Sequence, residues 1–286
     1  MPSINNISST YRLASGHEIP AFQLGVYKSS SDVAKNTVTS ALKGGNDMHA
    51  GYIGVDTAQY YANEVQVGEA IREAGKQAGD VFVTTKVMES AGDVDANYKR
   101  CLESIEKIGL GYVDLFLIHS PRQANGATDR KSLWQALERL AKEGRAKSIG
   151  VSNYGVKHIE ELKKYASVPV SVNQIELHPF HQQRAIVEYC QKNDIILEAY
   201  CPIIRGQKKD DPTIVKISEE TNKNWAQVLI RWSIQRGFVT LPKSDNPERQ
   251  KSNADIFNFE LSSDQMARLD GLEAGHHVAP CPVDCD

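Results

Sequence analysis

No Gly-x-Gly-x-x-Gly pattern occurs anywhere in this 286-residue chain. An open doubly wound sheet ordinarily carries that pattern between its first strand and helix, so its absence weighs against such a fold. The apolar runs are strand-sized, far short of the ~20 residues that cross a bilayer. Charge of one sign is also missing, with 33 basic residues against 36 acidic. That balance offers no electrostatic footprint for nucleic acid or an anionic membrane. Five cysteines, an odd and scattered set, do not make a disulfide framework. Cys281 and Cys285 lie close together in a proline-containing tail and are taken as incidental. The opening Met-Pro-Ser-Ile-Asn-Asn lacks the basic-then-apolar plan of a signal peptide. Only His178 and His181 offer ligand-like spacing, so no metal is expected. These absences describe a globular protein of a reducing, cytoplasmic compartment.

What is present is an alternation. Residues 11–20 read as a hairpin turning at Ser15-Gly16, and an apolar segment from Phe22 to Tyr27 then leads into a helical run from Ser31 to Leu42. Strand-like segments follow at 52–55, 81–85, 113–118, 148–151, 170–175, 195–200 and 238–241. Helical patterns come after them at 64–76, 94–108, 132–142, 156–164, 182–191, 213–220 with 226–235, and 247–254. Val113-Asp-Leu-Phe-Leu-Ile118 is nearly all apolar, as a parallel strand covered on both faces should be. Eight strand–helix units within about 250 residues predict an α/β fold, a (β/α)8 TIM barrel. The whole chain, 1–286, is expected to be one domain with an N-terminal hairpin and a short C-terminal extension.

Chemistry in such a barrel sits at the C-terminal ends of the strands. Those ends read Asp56 with Tyr61 following, Thr84-Thr85-Lys86, His119-Ser120-Pro121, Ser152-Asn153, Asn173-Gln174, Tyr200-Cys201-Pro202 and Pro242-Lys243-Ser244. Polar and ionisable residues therefore gather at one end. Each has a plainer structural explanation: Asp56 as a helix cap, Tyr61 as packing, Asp56–Lys86 as a barrel ion pair, His119 as a core histidine.

Read in order, the motifs resemble the aldo-keto reductase family. They are Gly51-Tyr-x-x-x-Asp56-Thr-Ala-x-x-Tyr61-x-Asn-Glu64, Thr84-Thr-Lys86, Leu115-x-x-x-His119-Ser-Pro121, Ile149-Gly-Val-Ser-Asn153, Asn173-Gln-Ile-Glu-Leu-His-Pro179 and Pro242-Lys-Ser-x-x-x-x-Arg249. The resemblance runs from about residue 10 to about residue 272. It implies a (β/α)8 barrel that reduces an aldehyde or ketone with NADPH. Tyr61 would be the general acid and Lys86 would make its phenol more acidic. Asp56 would hold the lysine, and His119 would polarise the substrate oxygen. Ser152, Asn153 and Gln174 match the residues that fix the nicotinamide carboxamide, and Tyr200 the ring that stacks on it. Lys243, Ser244 and Arg249 match the cluster that grips a 2′-phosphate, and Asn253 an adenine contact. Gly25 and Val26, beside the first strand, complete the implied cofactor set. Tyr27, Met88, Ser120 and Ile203 match positions near the substrate.

The chain departs from the family pattern at several points. Gln23 and Val26 replace a glycine and a threonine, and Ser252 stands where a glutamate is common. Met88 and Ser120 occupy positions that several relatives fill with tryptophan, which implies a roomier, less aromatic pocket. The 44–50 segment is an insertion expected at the bottom of the barrel, away from the site. The implied partner is a small carbonyl compound, with the chain a monomer or weak dimer. Two other readings remain at this level: oxidation of a hydroxyl by the same site, and a non-catalytic NADPH-binding barrel that senses redox state or regulates a partner.

Overall fold

Short apolar segments bounded by Gly, Pro, Asn and Asp become strands, and the amphipathic runs between them become helices. The computed structural model describes residues 4–43 and 50–286. It opens with a hairpin of β1 (Thr10–Arg12) and β2 (Glu18–Pro20), paired antiparallel. Eight parallel strands follow in chain order: β3 (Leu24–Gly25), β4 (Gly54–Asp56), β5 (Phe82–Val87), β6 (Val113–Ile118), β7 (Ala146–Ser152), β8 (Val172–Glu176), β9 (Ile196–Tyr200) and β10 (Val239–Leu241). Each pairs with the next, and a parallel bridge between Phe22 and Thr240 brings the last strand back to the first. Gly25 N–H donates to the Pro242 carbonyl at 3.1 Å across the same seam. This is the expected (β/α)8 barrel.

The outer ring comprises α1 (Ser31–Leu42), α2 (Glu64–Glu73), α3 (Val94–Ile108), α4 (Ala127–Lys142), α5 (Val156–Lys163), α6 (Arg184–Lys192), α7 (Pro212–Thr221), α8 (Trp225–Gln235) and α9 (Pro247–Ala254), with α10 (Ser263–Asp270) after the last strand unit. Among the described residues no helix is long and apolar enough to cross a membrane. On β6, Leu115, Phe116, Leu117 and Ile118 are all fully buried, so both faces of the strand are covered. Each such side chain contributes about 1.5–3 kcal/mol of hydrophobic stabilisation. The hairpin packs under the barrel, where the Ser15 and Ser148 hydroxyls share a 2.7 Å hydrogen bond near the start of β7.

Several boundaries shift by a few residues, and two differences are larger. Helix α4 begins five residues before the predicted Ser132, because its first turn carries buried polar groups that hide the apolar stripe. Arg130 there donates to both carboxylate oxygens of Glu161 and to the Pro121 carbonyl. Helix α10 was not expected; it is polar, with Leu269 its buried residue, and is started by a reciprocal Ser262/Gln265 cap. Of the 44–50 insertion expected at the barrel bottom, residues 44–49 lie outside the described residues.

Gly68, inside α2, marks the tightest helix–helix approach. A β-carbon there would stand 1.8 Å from the Ile108 carbonyl oxygen at the end of α3. Helix propensity alone favours alanine over glycine by about 1 kcal/mol. Overpacking against a backbone atom costs about 1–3 kcal/mol, so sterics should win. Gly68→Ala is therefore expected to lower the melting temperature; an unchanged or raised value in a thermal melt contradicts this packing.

Candidate active site

The loop after β4 is tied down at several points. The Thr57 hydroxyl donates to Asn63 Oδ1 at 2.7 Å, and Asn63 Nδ2 donates to the Val26 and Ser29 carbonyls, both at 3.1 Å. A single 3-10 turn over Gln59–Tyr61 ends at Ala62, which takes a left-handed φ of 55°. The chain is thereby folded back so that Tyr61 faces the strand ends. Asp56 is not a helix cap, since Asn63 holds the N-cap position of α2. Its carboxylate instead accepts from Lys86 Nζ at 2.6 Å and from Gln174 Nε2 at 2.8 Å.

Lys86 is fully buried. Its ammonium donates to Asp56 Oδ1, to the Thr57 carbonyl at 2.9 Å and to the Tyr61 phenol oxygen at 3.3 Å. Three donors meet three acceptors, so this buried cation is satisfied. Burial, and after it the Asp56 carboxylate, holds the Tyr61 phenol well above the usual tyrosine range. The lysine's charge is already matched by Asp56, and the phenol is left neutral and protonated. The His119 ring lies 5.6 Å from the Tyr61 ring, edge to face. Burial, reinforced by Lys86, pushes its imidazole down to about 3, so it is neutral near pH 7. His119 Nδ1 is buried without a protein partner.

A cavity of about 890 Å³ opens above these groups. It is lined by Asp56, Tyr61 and His119 and by the expected pocket residues Tyr27, Met88, Ser120 and Ile203. Gly25, Ser152, Asn153, Gln174, Tyr200, Lys243, Ser244, Arg249 and Asn253 also reach it. Lys86 lies beneath Tyr61 and does not line the cavity. Val26 does not either: its side chain is fully buried and its amide donates to the Asp56 carbonyl, so its place is structural.

Around the polar wall, the Tyr200 hydroxyl donates to Asn153 Oδ1 at 2.7 Å. Asn153 Nδ2 donates to the His119 carbonyl at 3.0 Å and to Ser152 Oγ at 3.1 Å. At the far side, Arg249 Nε donates to Ser244 Oγ at 3.3 Å, and Lys243 is paired with Asp245. The Ser29 hydroxyl and Thr37 also donate to Asp245, which ties the segment after β3 to the one after β10.

Several lining residues had no legible sequence signal. Lys28 and Arg205 bring cations to the cavity, each within 6 Å of the Tyr27 ring centre (5.7 and 5.8 Å). The segment from Tyr27 to Ser29 runs from beside Tyr61 to the Asp245 contact, which puts Lys28 between the two ends of the site. A lone basic residue in a loop carries no pattern, so neither stood out. The C-terminal tail also contributes Ala279, Pro280 and Pro282. It is held by the Glu176 carboxylate, which accepts from the Val278 and Ala279 amides at 2.6 and 2.9 Å. Cys281 and Cys285 are free thiols in this tail. Among the described residues no group of three or more His, Cys, Asp and Glu side chains could hold a metal ion.

The polar cluster at the strand ends shares one cavity, and comparison with known proteins gives the class. A sequence model of the Aldo/keto reductase family matches residues 23–274. The chain is 40% identical over 278 residues to glyoxal reductase of Bacillus subtilis (strain 168), covering 97% of each chain. It is 38% identical to morphine 6-dehydrogenase of Pseudomonas putida, covering 98% of this chain and 96% of the relative. Among solved structures, a Bombyx mori aldo-keto reductase in complex with NADP superposes with a TM-score of 0.86 at 31% identity, covering 98% of this chain and 97% of the other. The protein belongs to the aldo/keto reductase family and is an oxidoreductase.

The Asp56–Lys86 pair makes a direct prediction. Lys86→Met leaves the Asp56 carboxylate buried and unpaired, which costs about 3–5 kcal/mol. Urea unfolding should show that loss, with part of it recovered in Asp56→Asn/Lys86→Met. A single variant as stable as the wild type would mean that the pair is not buried as described.

Proposed function

We propose that the protein reduces the carbonyl group of an aldehyde or ketone with NADPH, using Tyr61 as proton donor. One observation carries the reading: a protonated phenol, held by a buried ammonium, lines a cavity large enough for a nucleotide and a small substrate. NADPH supplies the hydride when bound. The carbonyl carbon takes that hydride, the π electron pair moves to oxygen, and the oxygen takes the Tyr61 proton. Lys86 Nζ then faces a phenolate, and its hydrogen bond becomes charge-assisted on both sides. The buried phenol is protonated at rest, and Lys86 stabilises the phenolate that forms as the proton is given up. His119 is neutral, so it acts as a hydrogen-bond donor to the substrate oxygen and not as a cationic acid.

The remaining residues fit a dinucleotide. Asn153 and Gln174 have their N–H groups committed within the protein, so they meet the nicotinamide carboxamide through their amide oxygens, and Tyr200 offers a ring whose hydroxyl is anchored by Asn153. Lys28 and Arg205 supply cations for the pyrophosphate, midway along the site. Lys243, Ser244 and Arg249 suit a 2′-phosphate, which favours NADPH over NADH. Lys243 is already paired with Asp245, so its ammonium would be shared between that carboxylate and the phosphate. Met88 and Ser120 leave the substrate end without the tryptophans expected for aryl-selective relatives. The NADP complex of the Bombyx mori relative supports the cofactor, and the names of the bacterial relatives support carbonyl–alcohol chemistry.

The test is Tyr61→Phe, assayed as loss of NADPH absorbance on a panel of aldehydes and ketones, with NADH in parallel. Turnover is expected to fall by about 10²–10⁴-fold, while NADPH still quenches the protein fluorescence. Full activity in the variant would overturn the role of Tyr61. NADPH binding with no turnover of any carbonyl by the wild type would favour a regulatory barrel instead.

A further inference from the structure

Beneath Asp56, inside the barrel, lies a second carboxylate that the reduction chemistry does not call for. Glu198, on β9, is fully buried. Its Oε2 accepts from Gln174 Nε2 at 2.9 Å, and its Oε1 accepts from Gln23 Nε2 at 3.3 Å. The same Gln174 nitrogen donates to Asp56 Oδ2 at 2.8 Å. One amide therefore has its two N–H groups on two carboxyl groups. The result is an unbroken chain across the barrel: Tyr61, Lys86, Asp56, Gln174, Glu198, Gln23.

Its far end departs from the pattern the resemblance implies. Gln23 stands where the family has a glycine, and its side chain needs room inside the barrel. That room comes from Gly54: a β-carbon there would lie 2.6 Å from Gln23 Cγ and 2.8 Å from its Oε1. The two positions are complementary, and together they bring an amide onto Glu198.

Charge counting then restricts the state of the chain. The charged groups acting on Glu198 are the Asp56 carboxylate from β4 and the Lys86 ammonium from β5. Glutamine amides, from β8 and from the residue before β3, are its hydrogen-bonding partners and carry no charge. Gln23 Oε1 is buried with no partner among the described residues, so turning that amide end for end gives the O–H of a protonated Glu198 its acceptor. Two buried carboxyl groups thus share one cation, and that cation is in direct contact with Asp56 at 2.6 Å. An unpaired buried carboxylate is costly enough that it takes up a proton instead.

We propose that Glu198 is a positioning residue of the Tyr61 proton relay: a protonated carboxylic acid that, through Gln174, holds Asp56 on Lys86. The proposal rests on Tyr61 being the proton donor. Burial first, and then the neighbouring Asp56 carboxylate, push the Glu198 carboxyl up to about 8. Between the ordinary glutamate range and that value the folded chain carries a proton that the unfolded chain has lost. Stability from this group is therefore present at low pH and declines as pH rises through about 8. Ionisation also places a second negative charge behind Lys86. The phenol then becomes a poorer acid, and carbonyl reduction slows.

The experiment compares wild type and Glu198→Gln, whose amide imitates the protonated acid. Urea midpoints are measured from pH 5 to pH 9. The ratio of kcat at pH 7 to kcat at pH 9 is taken with saturating NADPH and 4-nitrobenzaldehyde. Wild type is expected to lose stability relative to the variant as pH rises, and to show a kcat ratio at least about threefold larger than the variant's. Parallel urea midpoints would overturn the protonated state. Diverging midpoints with equal kcat ratios would overturn the positioning role. Tyr61→Phe in the same assay separates the two failures: an active Tyr61→Phe breaks the relay itself, whereas an inactive one beside an unaltered Glu198→Gln profile removes Glu198 alone. Should Glu198→Gln fail to fold, infrared spectra of the wild type at pH 7 and pH 9 decide. A protonated-carboxyl band lost between them supports the assignment, and identical spectra overturn it.

Discussion

One buried ammonium is shared among three partners, and the site is organised around that sharing. Lys86 has three N–H groups, directed to a carboxylate, a backbone carbonyl and a phenol. The carboxylate is the nearest partner and takes most of the charge. What reaches Tyr61 is a hydrogen bond at 3.3 Å, and burial together with Asp56 keeps the phenol protonated. A proton donor must hold its proton until the substrate oxygen becomes basic, and this arrangement does so. The lysine's contribution grows only when the phenol loses its proton, which is when stabilisation lowers a barrier and not merely a ground state.

The barrel brings these partners together. Neighbouring parallel strands place Asp56 opposite Thr84, so a lysine two residues further along β5 can reach across to the carboxylate. β8 brings Gln174 to the same carboxylate from another side of the barrel. Outside this polar chain the strands are packed with buried apolar side chains, so water does not compete for the ammonium. The same exclusion of water pushes Glu198 up and His119 down, each toward its uncharged form. Each uncharged state follows from burial first and from a neighbouring charge second.

Much of this was legible in the sequence, for identifiable reasons. The strands that are covered on both faces appear as apolar runs, and β6 coincides with its predicted span, 113–118. Asp56, Tyr61, Lys86 and His119 stand out because they are polar residues at strand ends, and the fold brings them together. The first turn of α4 was missed because Arg130 and Asp129 are buried there through pairing, not through apolarity. Helix α10 was missed for the opposite reason, since its surface is polar and only its cap betrays it. Lys28 and Arg205 depend on loops with left-handed residues, φ 63° and 51°, whose direction no periodicity encodes. Val26 was assigned to the cofactor by position, yet it points into the packing around β3. Glu198 reads as one polar residue in an apolar strand, and only the three-dimensional neighbours give it meaning.

The central claim is that burial, and after it Asp56 held on Lys86, keeps the Tyr61 phenol neutral. The most direct measurement is a pH titration of tyrosinate absorbance in Asp56→Asn and in wild type, each taken as a difference spectrum against the same protein carrying Tyr61→Phe. The account predicts that the Tyr61 signal ionises at a clearly lower pH in Asp56→Asn, because the freed ammonium then favours the phenolate. An unchanged or higher ionisation pH in that variant would contradict it.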